Sequence, residues 1–120
     1  MAQHAGLTLE RWIGFTPDQQ LLMIANELSR AAKLMAPADR ERLKNSYARA
    51  LQLTDLTIAA RREHGFRREL LRWRDLVAHL WLEPGSNPQA HRDALRHLLL
   101  FSFATARQIP FVLGEGPTAS

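Results

Sequence analysis

The sequence predicts an all-α protein, an antiparallel up-down four-helix bundle with a short N-terminal helix or turn. Three observations carry that expectation. Proline and glycine punctuate the chain at long intervals, apolar residues between the marks recur every three or four positions, and no two segments read as a strand pair. Short connections between successive helices then favour antiparallel neighbours. The chain has 120 residues, 46% apolar and 23% charged, which is the size and composition of one globular domain. That domain is expected over residues 1–113, with a mobile segment at 114–120.

The elements follow in order. Thr8 is a candidate N-cap for a turn or helix over Leu9 to Ile13, where Leu9, Trp12 and Ile13 suit the end of a bundle. Thr16, Pro17 and Gln19 form a helix start, with cap, first-turn proline and the third residue of a capping box. The stripe Leu21, Ile24, Ala25, Leu28, Ala32 and Met35 follows, and Pro37 closes it. A second helix is predicted from Ala38 or Asp39 to about Arg61, with Leu43, Tyr47, Leu51, Thr54 and Ile58 inward, and Leu53 and Leu56 off that stripe. Gly65 is the predicted stop. A third helix is expected over Phe66 to Leu82, burying Phe66, Leu70, Trp73, Val77, Leu80 and Trp81, and ending at Glu83, Pro84 and Gly85. Asn87 and Pro88 start a fourth, expected to reach Arg107 and to be the most buried because Leu95, Leu98, Leu99, Phe101 and Phe103 exceed one face. Phe111, Val112 and Leu113 are expected to pack after it.

Charge is concentrated in one place. Arg61, Arg62, Arg67, Arg68, Arg72 and Arg74 stand against Glu63 and Glu69, an excess of four that equals the formal net charge of +4. Such a segment favours an acidic protein or a nucleic acid. Arg61, Arg62, Arg67, Arg68 and Arg72 are the candidate contacts, with Trp73 or Phe66 near enough in sequence to stack a base. The opposing view is a solvated face paired locally with Glu63, Glu69 and Asp75, its aromatics in the core. Surplus apolar residues on the second and fourth helices point to self-association as a homodimer.

Several functional classes are set aside by composition. No cysteine is present, which removes disulfides, thiolate metal sites and cysteine nucleophiles together. Asp75 with His79 and Asp93 with His97 repeat a four-residue spacing that suits metal ligands, and His91 falls at similar height. The same spacing makes ordinary surface pairs, so neither metal nor cofactor is expected. Met1 to Glu10 lacks a basic start followed by an apolar stretch, and no apolar run reaches the roughly 18 residues of a membrane helix, so a cytoplasmic location without membrane contact is expected.

Two resemblances extend this reading. Arg74-Asp75-Leu76-Val77-Ala78-His79-Leu80-Trp81 resembles the signature of HEPN domains, an arginine followed by a polar residue and then a histidine on a small helical bundle. The resemblance implies a metal-independent ribonuclease or toxin-antitoxin component assembled across a dimer. Arg74 would hold the scissile phosphate and His79 would act as the acid-base group. Longer blocks, Asn26 to Ala31, Arg49 to Thr57 and Arg68 to Arg74, are similar to those of short uncharacterised bacterial helical proteins, a family that implies no established activity. On the residues themselves, His79 reads as a core-edge position between leucines and tryptophans. A non-catalytic module with an Arg-rich binding face is the leading expectation, and the HEPN-type enzyme is its alternative.

Overall fold

Thr16, Pro17 and Gln19 start the first long helix as their chemistry requires. In the computed structural model, which describes residues 8–114, the Thr16 hydroxyl accepts from the Gln19 amide at 3.1 Å, and the Gln19 side chain accepts from the Thr16 amide at 2.8 Å. This capping box opens α2 (Pro17–Ala31), preceded by α1 (Leu9–Ile13) with Thr8 as its cap. A 3-10 turn at Pro37–Asp39 leads into α3 (Arg40–Ala60), followed by α4 (His64–Leu82). Asn87 caps α5 (Pro88–Leu99), and two short helices follow, α6 (Phe103–Ala106) and α7 (Ile109–Val112). All described elements are helical. The expectations for residues before Thr8 and for a mobile segment after Gly114 lie outside the described residues.

The four long helices contact in a ring, α2 on α3, α3 on α4, α4 on α5 and α5 back on α2. Trp12 enters from α1, fully buried, and its indole donates to the Thr57 hydroxyl at 2.9 Å. Trp73 does the same from α4, donating to the Ala94 carbonyl of α5 at 2.7 Å. Each tryptophan removes a large apolar surface from water while its single polar atom finds a buried acceptor, the arrangement that makes burial favourable.

Several boundaries and faces differ from expectation, each for a local reason. α2 stops at Ala31 rather than running to Pro37, because its last turn tightens, with Lys33 bonding back to Arg30 and Leu34 to Ala31. Ala32 is exposed and Met35 half-buried in consequence. On α3 the inward face runs through Leu43, Tyr47, Ala50, Leu53, Thr54 and Thr57, so Leu53 is core while Leu51 and Ile58 are half-buried. Small and hydroxylated residues won that face because Ala50 lets neighbours approach, while Thr54 and Thr57 satisfy their hydroxyls on the Ala50 and Leu53 carbonyls at 2.7 and 2.8 Å.

Gly65 does not end α3. The chain turns at Arg61, which is extended and anchored by its own side chain, and Gly65 falls in the first turn of α4. Gly85 uses the freedom of a glycine, with φ of 82° between α4 and α5. The expected fourth helix is broken after Leu99, where Ser102 caps α6 and the buried Thr105 hydroxyl donates to the Leu99 carbonyl at 2.7 Å. Phe103 is therefore 84% exposed rather than buried, and Phe111 is 76% exposed while Leu113 packs. The helix with the largest buried share is α2, seven of its 15 residues, ahead of α5 with five of its 12, because α2 packs on α3, α5, α6 and α7.

Candidate binding surface on the arginine-rich helix

The outer face of α4 follows from helical geometry. At about 100° per residue, His64, Arg68, Arg72, Asp75 and His79 fall on one line, with Leu71 and Leu76 flanking it on opposite sides. All seven are exposed, both leucines at 46%, and Leu82 ends the stripe at 65%. Arg68 meets the His64 ring nitrogen at 2.7 Å, and Arg72 meets Glu69 at 3.3 Å. An exposed pair of the Arg72 kind contributes about 0–1 kcal/mol, so a partner carboxylate displaces it readily. Arg62 is exposed on the connection that precedes the helix.

The remaining arginines are committed to the fold. Arg61 donates to the Gln20 side chain at 2.9 Å and to the Phe15 carbonyl at 2.7 Å, tying the end of α3 to the α1–α2 turn. Arg67 donates back to the Ile58 carbonyl at 3.1 Å and braces the α3–α4 corner. Because those acceptors are neutral, both charges still contribute to the local field although their guanidiniums are occupied. Trp73 faces inward at 2% exposure and offers no free ring to a base, while Phe66 is half-buried and packs edge-to-face with Phe101 at 5.9 Å.

Arg74 and His79 are five residues apart on an unbroken helix and lie about 140° apart around its axis. Arg74 turns toward α3, where it grips Asp55 through two bonds of 2.5 and 3.2 Å; that hydrogen bond, ahead of any other influence, holds its guanidinium even more firmly charged. It lines a groove of about 620 Å³ between α3 and α4 together with Leu51, Leu56, Ala78 and Trp81. His79 points outward instead, with Nδ1 at 2.8 Å from the Asp75 carbonyl. The core-edge position expected for it is corrected to an exposed one, because the neighbouring leucine and tryptophan sit on the other sides of the helix. The arginines that share its face are Arg68 and Arg72.

Three histidine positions show how local spacing misleads. Asp75 and His79 meet through a backbone carbonyl, and Asp93 accepts from Gln89 at 2.9 Å, with His97 exposed. The buried histidine is His91, whose Nε2 donates to the Leu28 carbonyl at 2.8 Å and whose Nδ1 accepts from the Tyr47 hydroxyl at 2.8 Å. Since a carbonyl only accepts, Nε2 carries the proton and the tyrosine donates. Burial pushes the imidazole below its ordinary value and the tyrosine above its own, so both stay neutral.

A second charged centre escaped the sequence reading. Glu27 is 2% exposed on α2, and its two oxygens are taken by Arg30 at 3.1 Å and Arg49 at 3.0 Å. Burial pushes its carboxyl up, but the Arg49 hydrogen bond and the charges of both arginines outweigh that, and the net shift is downward. A signal was present: Glu27 stands three residues after Ile24 and four before Ala31, on the apolar stripe. Among the described residues no helix is long and apolar enough to cross a membrane. Comparison with protein-family models, with curated proteins and with solved structures returned no match.

Proposed function

We propose that this chain is a non-catalytic helical binding module whose α4 outer face docks an acidic protein segment through Arg62, Arg68 and Arg72, on a scaffold read as an up-down four-helix bundle. The observation that carries the reading is the pairing of Arg68 and Arg72 with exposed Leu71 and Leu76 on one face. Guanidiniums fork onto carboxylates, and the leucines on either side suit the apolar residues of an amphipathic helix. A phosphate backbone has no apolar side chains to place on them. For this reason an acidic protein is favoured over nucleic acid. Self-association belongs to the same reading, supported by half-buried Leu51, Leu56 and Trp81 along the α3–α4 groove.

The test is a titration of a labelled acidic amphipathic peptide, of single-stranded RNA and of duplex DNA at rising salt. Peptide binding is expected to saturate, weaken with salt, and disappear in Arg62→Glu/Arg68→Glu/Arg72→Glu. Leu71→Ser/Leu76→Ser should also weaken it. No binding at low salt, or unchanged binding in the triple variant, sinks the proposal, and RNA binding indifferent to the leucine changes replaces it with a nucleic-acid function. Sedimentation at micromolar concentration should report a dimer. The HEPN-type alternative needs a second chain to bring Arg74 to a His79, and it requires RNA cleavage that is lost in both Arg74→Ala and His79→Ala.

A further inference from the structure

A basic pocket of about 480 Å³ lies between α2 and α3, and none of its lining residues belongs to α4. Arg30, Lys33, Arg42 and Arg49 line it with Asn45, Ser46, Leu34 and Glu27. Four cations face one carboxylate there, and counting the Arg42 contact to Asp39 at 3.2 Å still leaves an excess of two. Such an excess in a recess, away from the Arg-rich helix, asks for a reason.

Glu27 supplies the organisation. It is buried with both oxygens occupied, and Arg49 also donates to the buried Ser46 hydroxyl at 3.0 Å. Those bonds use Nη2 of each arginine, which leaves the Nη1 and Nε donors of Arg30 and Arg49 for a ligand. An anchored guanidinium loses less freedom when it binds, so the pair is set before any ligand arrives. A monocarboxylate satisfies one such fork. A phosphate group, with three free oxygens and up to two charges, matches two forks and the cations at the rim.

We propose that this pocket binds a small phosphorylated molecule, its phosphate held by Arg30 and Arg49 and its remaining charge met by Lys33 and Arg42. The volume exceeds that of a phosphate alone, and Leu34 with Asn45 gives an organic portion one apolar and one amide contact. The site is concave and not a track along the surface, which separates it from a polyanion groove.

Inorganic pyrophosphate is the probe, measured by calorimetry at low salt on the full chain. Arg49→Gln strips Glu27 of a partner and can unfold the protein, so the decisive variant is Lys33→Gln/Arg42→Gln, two exposed side chains that do not touch Glu27. Wild type should show one saturable site, and this variant should bind about ten-fold or more weakly, since each lost charged contact is worth about that factor. Arg68→Gln/Arg72→Gln removes the same charge from α4 and should change affinity less than about two-fold. Absence of saturable binding, or equal weakening by both double variants, overturns the proposal in favour of diffuse charge. A duplex oligonucleotide that binds this pocket more tightly than pyrophosphate, with the same dependence on Lys33 and Arg42, overturns it in favour of nucleic acid.

Discussion

Replacing Arg49 with methionine should destabilise the fold far more than replacing Glu27 with methionine, although both remove the same ion pair. Glu27 is the partner without access to water: its side chain is 3% exposed, against 31% for Arg49 and 69% for Arg30. Loss of Arg49 leaves a buried carboxylate held by Arg30 alone. Breaking a buried pair in this sense costs about 3–5 kcal/mol, and the surviving Arg30 contact lowers that to about 2–4 kcal/mol. Loss of Glu27 leaves two arginines that rotate toward solvent and a methionine that fits an apolar stripe, a change of less than about 1 kcal/mol. Urea unfolding at pH 7 should therefore show a midpoint lower by about 1.5–2.5 M for Arg49→Met and nearly unmoved for Glu27→Met. The gap should close in acid. Glu27 has a folded value below 4.5, so its paired contribution is complete above 4.5 and is lost as pH falls through the lowered folded value. Equal midpoints for the two variants, or a larger loss for Glu27→Met, would refute the assignment of Glu27 as the desolvated partner.

His91 gives a second pH response with its own window. Burial holds its folded value below 6.5, so as pH falls the unfolded chain takes the proton first, and stability declines from about 6.5 downward by up to about 1.4 kcal/mol per pH unit. Urea midpoints from pH 8 to 5 should show this slope, and His91→Leu should flatten it while lowering stability at pH 7, because Tyr47 and the Leu28 carbonyl lose their partner. The two glycines should respond in opposite senses. A methyl at Gly65 meets no atom within 4 Å and sits in a helix, so Gly65→Ala should stabilise by about 0.5–1 kcal/mol; Gly85→Ala must hold φ at 82° with its Cβ 3.4 Å from the Met35 carbonyl and should cost about 1–2 kcal/mol. Thermal melts of the two variants should move in opposite directions.

The helix starts were legible because their causes are local. Thr8, Thr16 with Gln19, and Asn87 each cap a helix through residues within three positions of themselves, and Pro17 and Pro88 fix the first turn. Helix ends were less legible. Arg61 ends α3 by reaching Gln20 and Phe15, about forty residues away in sequence, and Thr105 turns the chain after Leu99 by a hydroxyl whose target depends on the backbone already bending. Gly65, read as a stop on type alone, had no such partner.

By itself the sequence determined an all-helical chain, the positions of its principal helix starts, and a run of arginines carrying an excess of four charges, because composition, capping and 3.6-residue periodicity are properties of neighbouring residues. Only the tertiary structure decided which arginines remain outward. Arg61, Arg67 and Arg74 are drawn into contacts with the α1–α2 turn, α2 and α3, while Arg68 and Arg72 stay on the face that no helix covers. It also decided that Glu27 and His91, two residues whose types favour the surface, lie in the core. Each is buried only because a partner from a distant segment, Arg49 for Glu27 and Tyr47 for His91, satisfies the polar atoms that burial would otherwise leave unpaired.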